Sequence, residues 1–129
     1  MDLKVDTSRA APPSRQIVEG VLDGLAGGQI RPGERLPSVR GLAAEALVNP
    51  NTVGKAYREL EAMGVVAGRA GAGVFVTPEG PEIARDRRRG ATLDALRRAV
   101  DVAITAGHDP FVVMREVERT VNGRAAVKG

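Results

Sequence analysis

A chain of 129 residues with 43% hydrophobic content buries one good core with a small helical appendage and is too short for an enzyme built as two domains around a cleft. Without cysteine, and with His108 as its one histidine, it excludes a disulfide framework and a cysteine-type zinc site, so neither a metal nor another cofactor is expected. The formal charge is only +3, with nine Lys/Arg against nine Asp/Glu in residues 1–79 and ten against seven in residues 80–129, so a case for nucleic acid rests on where the bases stand and not on their number.

The amino terminus, MDLKVDTSRAAPPSR, carries charges throughout, and no apolar run approaches the length of a membrane span. A soluble, cytoplasmic protein with no membrane partner is expected. LKVDT is expected as a short strand. In residues 14–25, Ile17, Val18, Val21, Leu22 and Leu25 recur at helical spacing, and Gly27 with Gly28 ends the helix.

In QIRPGERLPSVRGLAAEAL, Pro32 and Gly33 make a turn, and Ser38 caps a helix of about three turns that buries Val39, Leu42, Ala43 and Leu47. In VNPNTVGKAYRELEAMG, Asn49 caps, Pro50 takes the first helical position and Gly64 the position after the last. Val53, Ala56, Tyr57 and Leu60 form its buried face, so the 3.6-residue period turns Asn51, Gly54, Lys55 and Arg58 outward. Two helices joined by a few residues, the second opening on polar and basic side chains, make a helix-turn-helix pattern. An ordinary helical hairpin within a core shows the same periodicity.

The stretch VVAGRAGAGVFVT decides between two readings of its glycines. A nucleotide loop needs a helix directly after them, because the free N–H groups of that helix bind phosphate. Here they lead into Val74, Phe75 and Val76 and then Thr77 and Pro78, a strand and a stop, so the segment is a β-hairpin with Arg69 near its tip. A hairpin directly after the second helix of such a motif is the wing of a winged helix-turn-helix, and the phosphates it approaches are those of DNA.

From PEG onward the composition changes. Arg85, Arg87, Arg88 and Arg89 form a charged helix start, either solvated or near phosphate, and a helix follows with Leu93, Leu96, Val100 and Ile104 along one stripe. A last helix, capped by Asp109 before Pro110, carries Phe111, Met114, Val117 and Val121, while His108 fits the turn between the two. These stripes need cover, from the same domain or from a second copy of the chain.

The residues GQIRPGERLPSVRGLAAEALVNPNTVGKAYRELEAMGVVAGRAGAGVFV resemble the amino-terminal domain of the GntR family of bacterial transcription regulators, with PGERLPSxRxLA, NTVxKAYxELE and the wing in order. Beyond residue 78 the chain looks like the YtrA subfamily, in which two carboxyl-terminal helices serve dimerisation; other branches append a large ligand-binding or aminotransferase-like domain, for which residues 79–129 leave no room. The resemblance implies a mainly α fold with one small β-hairpin, a DNA-binding domain over residues 1–78 and a helical dimerisation region over residues 79–129. It implies DNA contacts from Arg35, Ser38 and Arg40 around the start of the second helix, from Asn51, Thr52, Lys55 and Arg58 on the third, and from Arg69, Ala70 and Gly71 at the wing tip. It assigns the dimer surface to Leu93, Leu96, Val100, Ile104, Phe111, Met114 and Val117.

This sequence departs from the family pattern at Gly54, where a long polar or basic residue is common, and at Val39 and Gly41, where acidic or polar residues are common. Base reading at position 54 is then absent or passes to Lys55. The implied function is a homodimeric, sequence-specific repressor of the kind that acts on transporter operons and on its own promoter, with double-stranded DNA as partner. No small-molecule effector is legible. The competing reading is a winged-helix interaction or architectural module without sequence readout, for which apolar residues are expected where Asn51, Lys55 and Arg58 stand. No nucleophile, base and orienting group occur together, so no catalytic residue and no enzyme are expected.

Overall fold

The computed structural model describes residues 3–128. In chain order the elements are α1 (Pro13–Ala26), α2 (Val39–Ala46), α3 (Pro50–Met63), β1 (Val66–Arg69), β2 (Gly73–Val76), α4 (Gly80–Thr105) and α5 (Pro110–Lys128). The expected architecture, mainly helical with one small hairpin, is the one found.

α2 and α3 start where a side chain satisfies a free N–H group of the first turn. The Ser38 hydroxyl accepts from the Gly41 N–H at 3.0 Å, and the Asn49 side chain accepts from the Asn51 N–H at 2.8 Å. α3 ends at Gly64 with φ 86, where the Val65 N–H reaches the Leu60 carbonyl at 3.2 Å and the Gly64 N–H reaches that of Glu61 at 3.0 Å. That left-handed closure suits glycine because no Cβ meets the following carbonyl.

α2 closes the same way without a glycine. Leu47 sits at φ 57, and the Val48 N–H reaches the Ala43 carbonyl at 3.0 Å. Helical spacing had placed Leu47 in the core with Leu42 and Ala43, but the helix ends at Ala46 after 8 residues rather than three turns, and the left-handed residue leaves Leu47 90% exposed. Ala46 takes the buried place instead, and Val39 is half-buried.

α1 packs on α3, and α2 on α3. Ile17, Val21 and Leu25 of α1 meet Leu42 of α2 and Val53 and Leu60 of α3 in one cluster, all fully buried. Each such side chain contributes about 1.5–3 kcal/mol by leaving water.

The expected strand at LKVDT does not form. Leu3 is buried against α1, and the Gln16 side-chain amide accepts from the Asp6 N–H and donates to the Asp6 carbonyl, both at 2.8 Å, and donates also to the Ala11 carbonyl at 2.9 Å. One amide side chain thereby does what a neighbouring strand would have done for these backbone groups.

β1 and β2 pair antiparallel, with Val66 opposite Val76 and Arg69 opposite Gly73. A third extended segment, not expected from the sequence, joins β2 on its other edge: Arg35 bridges Phe75, the Leu36 N–H reaches the Val74 carbonyl and the Val76 N–H reaches that of Glu34, both at 2.9 Å. The PGERLP segment is thus part of the wing as well as the approach to α2.

α4 begins at Gly80, ahead of the arginine run that was expected to start it. A Cβ on Gly80 would lie 2.8 Å from the Val65 carbonyl oxygen, so only glycine lets the helix start this close to β1. Ala84 is fully buried, Ile83 packs on the core, and Arg88 holds Asp23 of α1 through Nε at 2.6 Å and Nη2 at 3.3 Å. Those hydrogen bonds raise the Arg88 pKa further above its already high ordinary value. One compact unit runs to Arg89, and a second begins at Gly90.

In the second unit, Asp109 accepts from the Phe111 N–H at 2.8 Å and starts α5. Among its described residues none is buried, and Val100, Ala103 and Val113 are half-buried.

Candidate nucleic-acid interface

The LPS segment and α3 are tied by one bond. The Tyr57 hydroxyl, on the buried face of α3, donates to the Pro37 carbonyl at 2.7 Å. Tyr57 is 6% exposed, and burial, helped by the negative charge of Glu45, pushes its pKa up to about 12. The phenol stays protonated and fixes the residue before the Ser38 cap relative to α3. Tyr57 is a core residue here, as its periodicity implied.

Arg40 follows the Ser38 cap at the second position of α2 and is exposed. On α3 the cap is made by Asn49, which leaves the Asn51 side chain exposed and uncommitted; Thr52 is half-buried, and Lys55 and Arg58 are exposed. The Arg58 guanidinium turns back along the helix, with Nη1 3.4 Å from where a Gly54 Cβ would lie. Long helical side chains lean toward the amino terminus, so the cation beside the glycine gap is Arg58. At the wing, Arg69 ends β1, the Ala72 N–H returns to the Arg69 carbonyl at 3.0 Å, and Gly71 makes the turn at φ 74.

None of Arg35, Arg40, Lys55, Arg58 and Arg69 is held in an ion pair among the described residues, whereas Arg9 and Arg88 of the same unit are. The structure pairs the segments of Arg35 and Arg69 with opposite edges of β2, and places Arg58 beside Gly54. Sequence reasoning missed Phe75, whose ring centroid lies 4.6 Å from the Arg69 guanidinium carbon. The signal available for it was its place between Val74 and Val76, which fixes its face but not its neighbour.

In the second unit, Leu93, Leu96, Ile104, Phe111, Met114 and Val117 are exposed and Val100 is half-buried. Leu96, Val100 and Val117 border an apolar groove of about 370 Å³ between α4 and α5, along with Val112 and Val113, which the sequence reading did not single out. Groups of His, Asp and Glu able to hold a metal do not occur among the described residues, and no described helix is long and apolar enough to cross a membrane.

The profile of "Bacterial regulatory proteins, gntR family" matches residues 13–76. Over 75 residues the chain is 43% identical to the HTH-type transcriptional regulator Rv1152 of Mycobacterium tuberculosis, covering 58% of this chain and 62% of that protein. It is 37% identical, also over 75 residues, to the HTH-type transcriptional repressor YtrA of Bacillus subtilis, covering 58% of each. The aligned stretch thus spans about three fifths of the length of these two relatives. Among solved structures, YtrA from Sulfolobus acidocaldarius, a GntR-family transcription factor, superposes with TM-score 0.59 and 31% identity, over 75% of this chain and 99% of that one. The AraR DNA-binding domain in complex with operator ORE1 superposes with TM-score 0.51 and 25% identity, over 57% of this chain and 89% of that one.

Proposed function

The chain belongs to the GntR family of bacterial regulatory proteins, and from that premise we propose that it is a homodimeric repressor that reads an inverted-repeat operator in double-stranded DNA. The observation that carries this reading is the set of cations around α2, α3 and the wing with no carboxylate partner among the described residues. A protein surface that keeps Arg35, Arg40, Lys55, Arg58 and Arg69 exposed and unpaired is electrostatically complementary to a polyanion. An apolar outward face on α3 would have favoured a protein partner, and Asn51, Lys55 and Arg58 stand there instead.

In this reading Asn51 and Arg40 supply contacts of which at least one is to a base edge. Thr52, Lys55 and Arg58 extend the groove-facing surface, Ser38 and Arg35 approach the backbone, and Arg69 with Gly71 brings the wing to it. Dimerisation falls to the exposed apolar residues of the second unit, Phe111 and Met114 foremost at 73% and 66% exposed. The named relatives are transcriptional regulators, and the repressor role is proposed here by likeness to YtrA of Bacillus subtilis.

The test is selection by the full chain from a pool of random duplexes, with light scattering of the free protein. A dimer mass and an inverted repeat with half-site centres roughly 34 Å or more apart are expected. Recovery of no sequence preference, with equal affinity for random duplex, would replace this reading with an architectural one.

A further inference from the structure

Arg35 and Arg69 come from separate parts of the chain and lie over neighbouring positions on one face of the wing. β2 is the middle of three extended segments. On one side Arg69 stands opposite Gly73, and on the other Arg35 bridges Phe75. Alternation along a strand puts Gly73 and Phe75 on the same face.

Gly73 leaves an opening on that face, and Arg35 fills it. A Cβ on Gly73 would lie 2.7 Å from the Arg35 Nε and 3.3 Å from its Cζ. Gly73 also sits at φ 118, where an L side chain is strained whatever the space. The Arg69 guanidinium carbon lies 4.6 Å from the centroid of the Phe75 ring, next along the same face. Of the acids beside the hairpin, Glu61 is occupied on the Gly68 N–H at 3.0 Å and Glu34 on the Arg31 N–H at 3.2 Å. Arg35 thus lies over Gly73 and Arg69 over Phe75, two residues apart on one face, and among the described residues no carboxylate is paired to either.

Two unpaired cations on one small face favour an anion there, and a phosphodiester has oxygens enough to accept from both forks at once. The flat face of a guanidinium against an aromatic ring leaves its N–H edges free to donate.

We infer that Arg35 and Arg69 form a single phosphate clamp, opened by Gly73 and seated on Phe75, that grips one backbone phosphate of the bound duplex at each wing. The clamp rests on the DNA-binding reading above. Phe75 is a positioning residue: half-buried, it acts through Arg69.

The probe is a fluorescent duplex recovered from a random pool by the full wild-type chain, titrated by anisotropy over a series of KCl concentrations. Arg35→Ala and Arg69→Ala are each expected to weaken binding about five- to tenfold, and the double variant by clearly less than the product of the two, because they share one phosphate. Loss of that phosphate flattens log K against log salt by about 0.9 for each protomer bound. Phe75→Leu should reproduce the Arg69→Ala loss and add nothing to it, while Phe75→Tyr, which keeps the ring, should restore wild-type affinity and slope. If the two arginine effects multiply, or Phe75→Leu folds and binds as wild type, the arginines hold separate phosphates and the clamp is wrong while DNA binding stands. If Phe75→Leu melts at ambient temperature by circular dichroism, the exposed arginine pair still decides. A wild-type chain that retains no duplex at any salt overturns both the clamp and the function it rests on.

Discussion

The two units of this chain use apolar side chains in opposite ways. In the first, Ile17, Val21, Leu25 and Leu60 are entirely out of water. In the second, Leu93, Leu96, Phe111 and Met114 remain 47–73% exposed, and none of the described residues is buried. One unit completes its own core, and the other carries the stripes of a core without the mass to close over them. The contrast teaches that helical periodicity reports which residues seek cover but not which chain supplies it.

The largest effect should come from separating the units. A fragment of residues 1–89 keeps Ala84 and the Arg88 to Asp23 pair and should fold as a monomer. Because a dimer makes its second half-site contact intramolecularly, the fragment should bind a selected inverted repeat on the order of a hundredfold more weakly than the full chain. Light scattering and titration on the full repeat and on a half-site make the check. A fragment that still dimerises would move the dimer surface into the winged unit and remove the explanation for Phe111 and Met114.

The next effect tests how closed the first unit is. Tyr57 is the chain's only tyrosine, so phenolate absorbance reports it alone. Its pKa rises from the ordinary 10.0 to about 12 in the fold. Above pH 10 the unfolded chain loses a proton that the folded chain keeps, so stability present below pH 10 is lost as pH rises toward 12. The total is about 2–3 kcal/mol. Phenolate appearing near pH 10 without unfolding would mean that α3 and the LPS segment are not locked through this hydroxyl.

Where local chemistry decides the structure, the sequence was legible. Ser38, Asn49 and Asp109 cap as their side chains require, Gly64 ends α3, and the glycines of residues 68–73 connect strands. Contacts between distant segments were not legible. Gln16 replacing a strand, Arg35 joining β2 and Arg88 reaching Asp23 each depend on tertiary placement that no period encodes. The candidate interface divides the same way: motif resemblance named its exposed residues, but the placement of Arg35 over Gly73 and of Arg69 over Phe75 needed the register of three segments.

Leu47 is where local and global signals collide, and it offers a smaller effect of opposite sign. It is the one non-glycine residue with positive φ among those described, and it is 90% exposed. A left-handed L residue costs roughly 1–2 kcal/mol, part of which glycine returns through its greater freedom in the unfolded chain. Leu47→Gly should therefore stabilise the winged unit by up to about 1 kcal/mol in urea melts. Destabilisation instead would show that the leucine side chain is packed rather than exposed, and that the first unit extends its core into the turn.

The smallest effect concerns Gly54, the gap on the outward face of α3. Glycine in a helix interior is less stable than alanine by about 0.5–1 kcal/mol, so Gly54→Ala should raise the stability of the first unit by that amount. An added Cβ would meet Arg58 Nη1 at 3.4 Å, an ordinary contact that displaces nothing. The guanidinium should stay over position 54, and affinity for the selected duplex should change by no more than about twofold, with the recovered motif unaltered. The two measurements answer different questions. A melt that fails to rise would mean that the α3 backbone is held by packing strong enough to hide helix propensity. A rise accompanied by a tenfold loss of affinity would mean that the duplex approaches the bare backbone of α3 more closely than Arg58 allows, so that position 54 is empty to admit a base edge and Arg58 must swing away when DNA binds.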